Sequence, residues 1–163
     1  MLELKELYNN IKNSKEFKEW HKKNLDFYLC SFFTILDEQG WQVDYYSPSK
    51  DRITSFTCEK KVKILNIDSK IFKKEGLKVD KLDLDEIKIN LQKALDIVLN
   101  LKNKKYPNEK SNKIIVILQK IKKPLWNITY LTATFNILNV KIDAKSGKII
   151  EERIMPALSF KSQ

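Results

Sequence analysis

A chain of 163 residues with 31 basic and 21 acidic side chains carries a formal net charge of +10, and 42% of it is hydrophobic, including eight Phe, six Tyr and three Trp. That apolar content can bury a core, which excludes a disordered chain even though 32% of the residues are charged. With only three glycines and four prolines, little of the chain is linker and a Gly-rich phosphate loop is excluded.

Leu4, Leu7, Tyr8 and Ile11 fall on one helical face, and the stripe resumes at Phe17 and Trp20 after an interruption at Asn13 and Ser14. Glu16 follows Asn13 at the spacing of a capping arrangement. The pattern predicts one kinked helix or two short ones over residues 2–24. The period then changes to two. Aromatic and branched residues predict strands over 27–36, 41–46, 52–58 and 61–67, an antiparallel meander with turns at 37–40 and 47–51. Residues 69–81 read as a charged connector with a short helix at 71–75.

Asp83 and Glu86 open the clearest helix, in which Ile87, Leu91, Ala94, Leu95, Val98 and Leu101 form a stripe. Lys102, Lys104 and Lys105 complement its dipole at the C-terminus. Period two returns over 113–121, 125–132, 135–143 and 148–153. The order helix, strand, turn, strand opened by Trp, turn, strand therefore occurs twice, with Trp41 and Trp126 offset by 85 positions (126 − 41). Each tryptophan is expected to anchor the same helix–sheet contact in its copy.

The second copy carries Trp126-Asn127-Ile128-Thr129-Tyr130, then Leu138-Asn139-Val140-Lys141-Ile142, then Asp143-Ala144-Lys145-Ser146-Gly147-Lys148-Ile149-Ile150. Over roughly residues 83–153 this resembles the PepSY family, cystatin-like modules whose last hairpin often reads Asp-Ala-x-Thr-Gly. Ser146 stands where that pattern usually has Thr, and the first copy lacks the signature. The resemblance implies a helix across an antiparallel sheet and roles in binding or inhibiting other proteins, peptidases among them. It carries no catalytic residues and implies work outside the cytoplasm. Read from the residues alone, Asp143 and Gly147 shape a turn, one accepting backbone N–H bonds and the other tolerating positive φ.

The expected fold class is α+β: two cystatin-like helix-plus-antiparallel-meander units, residues 1–78 and 79–163, packed together through sheet surfaces. The first eight residues, Met-Leu-Glu-Leu-Lys-Glu-Leu-Tyr, place acids where a signal peptide needs a basic start, which predicts a cytoplasmic protein. The longest uncharged run, 124–140, is too polar for a membrane span.

Candidate chemistry is sparse. His21 is the single histidine, and Lys22 and Lys23 beside it suggest a surface position with no nucleophile to serve. Cys30 lies in an apolar strand, where a thiol behaves as a small hydrophobe. With Cys58 and His21 it gives three soft ligands where a structural zinc site needs four. Asp83, Asp85 and Glu86, and Glu151 and Glu152, lack a third partner. No catalytic, metal or cofactor residues are therefore assigned, and the protein is expected to be a non-enzymatic binding or regulatory protein.

The charge supports a second reading. Residues 1–80 hold 15 basic and 13 acidic side chains (net +2), whereas residues 81–163 hold 16 and 8 (net +8). A basic accessory protein that binds nucleic acid without sequence preference would use Lys102, Lys104, Lys105, Lys122 and Lys123 as polyanion contacts, weakly and in a salt-sensitive way. With only Arg52 and Arg153 in the chain, specific base readout is not expected. Strands apolar on both sides, such as 28–36 and 114–118, instead call for a protein partner or self-association through sheet faces.

Overall fold

The computed structural model describes residues 4–38, 40–70 and 78–162. Helices α1 (Leu4–Asn13) and α2 (Lys15–His21) precede strands β1 (Tyr28–Ile35), β2 (Gln42–Ser47), β3 (Arg52–Cys58) and β4 (Val62–Lys70). A single 3-10 turn (Leu84–Glu86) and helix α3 (Leu91–Lys105) precede β5 (Ser111–Ile121), β6 (Lys123–Thr132), β7 (Asn136–Asp143) and β8 (Ile149–Pro156). A final 3-10 segment covers Ala157–Ser162. The short helix expected at 71–75 lies outside the described residues.

Ser14, not Asn13, divides the first two helices. Its Oγ donates to the Ile11 carbonyl at 2.7 Å and accepts the Phe17 N–H at 3.1 Å, so one side chain ends α1 and caps α2. The expectation for the longest helix needs a larger correction. Asp83 caps only the 3-10 turn, through the Asp85 N–H. Residues 87–90 are not helical. The N–H groups of Lys88 and Ile89 both bond to the Ala144 carbonyl at 2.9 Å, which pins this stretch to the β7–β8 turn. Asn90 then caps α3 by accepting the Lys93 N–H at 2.9 Å.

All eight strands form one antiparallel sheet in the order β4-β3-β2-β1-β5-β6-β7-β8. The expected packing through sheet surfaces is not what occurs: the two meanders join edge to edge, β1 pairing with β5 from Ser31↔Gln119 to Ile35↔Ile115. The physical reason is in the strands themselves. β1 and β5 are apolar on both sides, as central strands are, whereas the outer strands β4 and β8 carry Lys63, Asp68 and Lys70, and Glu151, Glu152 and Arg153.

Among the described residues, the helices cover one face of the sheet and leave the other free of helix. A single row crosses six strands there, Phe56–Val43–Phe32–Leu118–Trp126–Ile142, with all six side chains fully buried. Leu7, Ile11, Phe17 and Trp20 from α1 and α2, and Leu91, Ala94 and Val98 from α3, close the core above it. Trp126 is the expected anchor, with its Nε1–H donating to the Ile89 carbonyl at 2.8 Å. Trp41 does not match it: Val43 holds the corresponding place in the row, and Trp41, two residues earlier, stays half-buried, edge-on to Phe32.

The Asp-Ala-x-Ser-Gly turn behaves as its chemistry requires. Asp143 Oδ1 accepts the N–H groups of Lys145 (2.9 Å) and Ser146 (3.1 Å), and Gly147 sits at φ +78°. Ala144 is fully buried and its N–H bonds the Pro124 carbonyl at 3.0 Å, so the turn ties the β5–β6 hairpin to the lead-in of α3.

Cys30 and Cys58 are free thiols on β1 and β3, with β2 between them. Two strand spacings are about 9.5 Å, beyond the roughly 7 Å that a disulfide spans. Cys30 is buried, its Sγ–H donates to the Asp44 carbonyl at 3.3 Å, and burial pushes its pKa far above the ordinary thiol range. A thiol reagent should therefore modify Cys58 in the folded protein and reach Cys30 only after denaturation. Fast reaction of both under native conditions would contradict this placement.

Candidate functional site on the helix-free sheet face

The strand alternation that buries Phe32 and Leu118 turns Phe33, Ile35, Ile115 and Ile117 to the opposite side of the sheet. These four are half-buried, pair across the β1–β5 junction (Phe33↔Ile117, Ile35↔Ile115), and stand outside the core cluster. They form an apolar strip at the centre of the face.

On the β2–β3 side the strip meets a fixed polar group. Asp44, 7% exposed, accepts from Ser31 Oγ at 2.8 Å through Oδ2, and from Ser55 Oγ at 2.6 Å and Gln42 Nε2 at 2.8 Å through Oδ1. On the β6–β7 side Asn139 Nδ2 donates to Asn127 Oδ1 at 2.6 Å and Thr129 Oγ1 at 2.8 Å. Beyond it Lys141 holds Glu151 at 2.6 Å, which keeps that carboxyl below its ordinary range, with Arg153 3.5 Å from the other oxygen. Donors and acceptors here are positioned by one another, so the face has an apolar centre with a satisfied polar border.

The residues singled out from the sequence lie elsewhere and are engaged in the fold. His21 is half-buried rather than on the surface, stacked on Phe17 at 5.2 Å between ring centroids. Aromatic packing of α2 against β2 and β3 draws it in, a contact the lysines beside it concealed. Asp85 pairs with Lys5 at 2.7 Å and Glu86 with Lys120 at 2.8 Å. Glu152 accepts from Lys105 at 2.8 Å and from the Tyr106 hydroxyl at 2.6 Å, and Lys105 foremost keeps its pKa low.

Of the five candidate polyanion contacts, Lys105 is paired with Glu152 and Lys123 with Asp143 (2.8 Å), while Lys102 donates to the Glu109 carbonyl at 3.0 Å. Lys104 and Lys122 are exposed. Lys102, Lys104 and Lys105 lie in the last turn of α3, before β5, and Lys122 and Lys123 lie at the turn that follows it. Among the described residues no cluster of three or more His, Cys, Asp or Glu could hold a metal ion, and no helix is long and apolar enough to cross a membrane.

The residues of the strip were visible in the sequence only as strands apolar on both sides. Which side the helices would leave open was not visible.

No protein-family model and no curated protein matches the chain. Among solved structures it is similar to the crystal structure of a "putative lipoprotein" from Clostridium difficile 630, at 16% identity and a TM-score of 0.56, over 91% of this chain and 93% of that one. At that identity the likeness concerns the fold.

Proposed function

We propose that this is a non-enzymatic protein-binding or regulatory protein, built of two cystatin-like units with residues 1–78 and 79–163 as their bounds, and that a partner protein docks on its helix-free sheet face. The observation that carries the reading is the half-buried strip Phe33, Ile35, Ile115 and Ile117, placed outside the core and bordered by satisfied polar groups. The two-unit reading is supported by strand order, since each run of four strands follows its own helical segment and the first strands of the two runs pair. The resemblance of residues 83–153 to PepSY modules points to the same class of role. Docking here does not depend on redox compartment, because Cys30 and Cys58 are too far apart to bridge in either.

The test is a double variant, Phe33→Lys with Ile117→Glu. Both sites are half-buried, so the expected loss of stability is small, about 1 kcal/mol per site. A partner recovered from nuclease-treated native lysate by the parent protein should be lost with the double variant. It should be retained by Lys104→Glu with Lys122→Glu. The opposite pattern would favour nucleic acid binding. A parent protein that sediments as a dimer, and a double variant that sediments as a monomer, would identify a second copy as the occupant.

A further inference from the structure

On the helix-bearing side, where the start of α1 approaches the lead-in of α3, lies a cleft of about 380 Å³. Its apolar lining comes from Leu4, Trp41, Leu84, Ile87 and the edge of Trp126. Its polar lining comes from Lys5, Lys88, Asn90 and Gln92. The volume is at the low end of small-molecule pockets, roughly 300–1,000 Å³. The cleft is a product of the fold. Because the backbone at Lys88 and Ile89 is tied to Ala144, α3 starts only at Leu91, and the unwound stretch leaves the gap that Trp41, half-buried, flanks.

We propose that this cleft binds a small amphiphilic carboxylate, an apolar body of about ten heavy atoms with an anionic head. The apolar half of the claim rests on its walls. The Trp126 indole is fully buried with its Nε1–H committed to the Ile89 carbonyl, so it offers no unmet donor, and the half-buried Trp41 supplies the open ring surface. The anionic half rests on charge. Lys5 and Lys88 both line the cleft, and Asp85, whose side chain is 85% exposed, pairs with Lys5 at 2.7 Å with Lys88 also acting on its carboxyl. A carboxylate can join the Lys5–Asp85 pair beside Lys88 while its chain covers Trp41. The site is on the opposite side of the sheet from the strip of Phe33 and Ile117 and is independent of what docks there.

The experiment uses the full chain with decanoate, decanol and acetate as probes, read by calorimetry and by tryptophan fluorescence. Decanoate should saturate one site and change the emission. Decanol should bind at least about fivefold more weakly, and acetate should not saturate. Lys88→Gln should weaken decanoate about fivefold and leave decanol unchanged. Leu84→Trp, which fills the cleft, should abolish decanoate binding. Ile87→Trp serves as the blocking variant if Leu84→Trp loses its cooperative melt. The Phe33→Lys, Ile117→Glu variant should bind decanoate as the parent does. The proposal is overturned by absence of saturable decanoate binding, by equal affinity for decanoate and decanol, or by binding that survives the blocking variant.

Discussion

Trp126→Ala is expected to destabilise the protein by about 3–5 kcal/mol, the range for removing a buried aromatic, which is a large share of the stability of a small domain. The ring is fully buried in β6, between Leu118 on β5 and Ile142 on β7. Ile128 and Tyr130 continue its face, and Leu91, Ala94 and Val98 of α3 belong to the same core. Two effects add. The cavity would lie inside the row that crosses six strands, between Leu118 and Ile142, where neighbours fixed by sheet pairing cannot collapse into it. The Ile89 carbonyl would also lose its indole donor, and a buried acceptor left unmet costs about 1–3 kcal/mol. Trp126→Phe separates the two: it keeps most of the volume and drops the hydrogen bond, so it should lose only about 1–2 kcal/mol. Denaturant unfolding of the three proteins measures both steps. An unchanged midpoint for the Ala variant would remove Trp126 from the core.

Why Trp126 could be placed from the sequence and Trp41 could not is a matter of local against distant constraint. Trp126 sits inside a long alternating run, 123–132, in which every second residue from Trp126 to Tyr130 is buried, so its face is determined by its own strand. Trp41 stands at the first residue after a turn, where the alternation gives no register, and Val43 takes the interior place. The same distinction governs α3. Its stripe of Leu91, Ala94 and Val98 was readable from spacing, but its start was set by Ala144, more than fifty positions away, holding the Lys88 and Ile89 amides. Asn90, which caps α3, is of a residue type that favours helix starts and so marks the true start locally. The joining of the meanders was the least legible. Two-sided apolar strands require cover or neighbours on both flanks, and sequence does not distinguish stacking from edge pairing. For the same reason the open face, and the cleft opposite it, became visible only with the whole sheet assembled.

Replacing Asp143 by Asn is expected to cost about 1–2 kcal/mol at neutral pH and almost nothing below about pH 2. The carboxylate, with a side chain only 14% exposed, pairs with Lys123 at 2.8 Å and accepts the turn N–H groups of Lys145 and Ser146. The Lys123 bond foremost, and the turn N–H groups after burial's opposing effect, hold its pKa down from 3.8 to about 2. A group whose pKa is lowered by folding contributes stability above its unfolded value and loses it as pH falls through the folded value. The contribution is thus complete above about pH 5 and disappears between about pH 4 and pH 2. Nearly two pKa units correspond to about 2.5 kcal/mol, and Lys123, 53% exposed, is screened by solvent, which brings the expectation down to about 1–2. Asn retains the side-chain oxygen that the turn amides need, so the difference between the two proteins isolates the charge. Other carboxyls with lowered pKa, such as Glu151 and Glu152, titrate equally in both and cancel. Melting midpoints of parent and Asp143→Asn should therefore be separated at pH 7 and converge as the solution is acidified. Parallel curves across that window would show that the Lys123–Asp143 pair adds nothing to the fold, and that the turn amides alone account for an aspartate at this position.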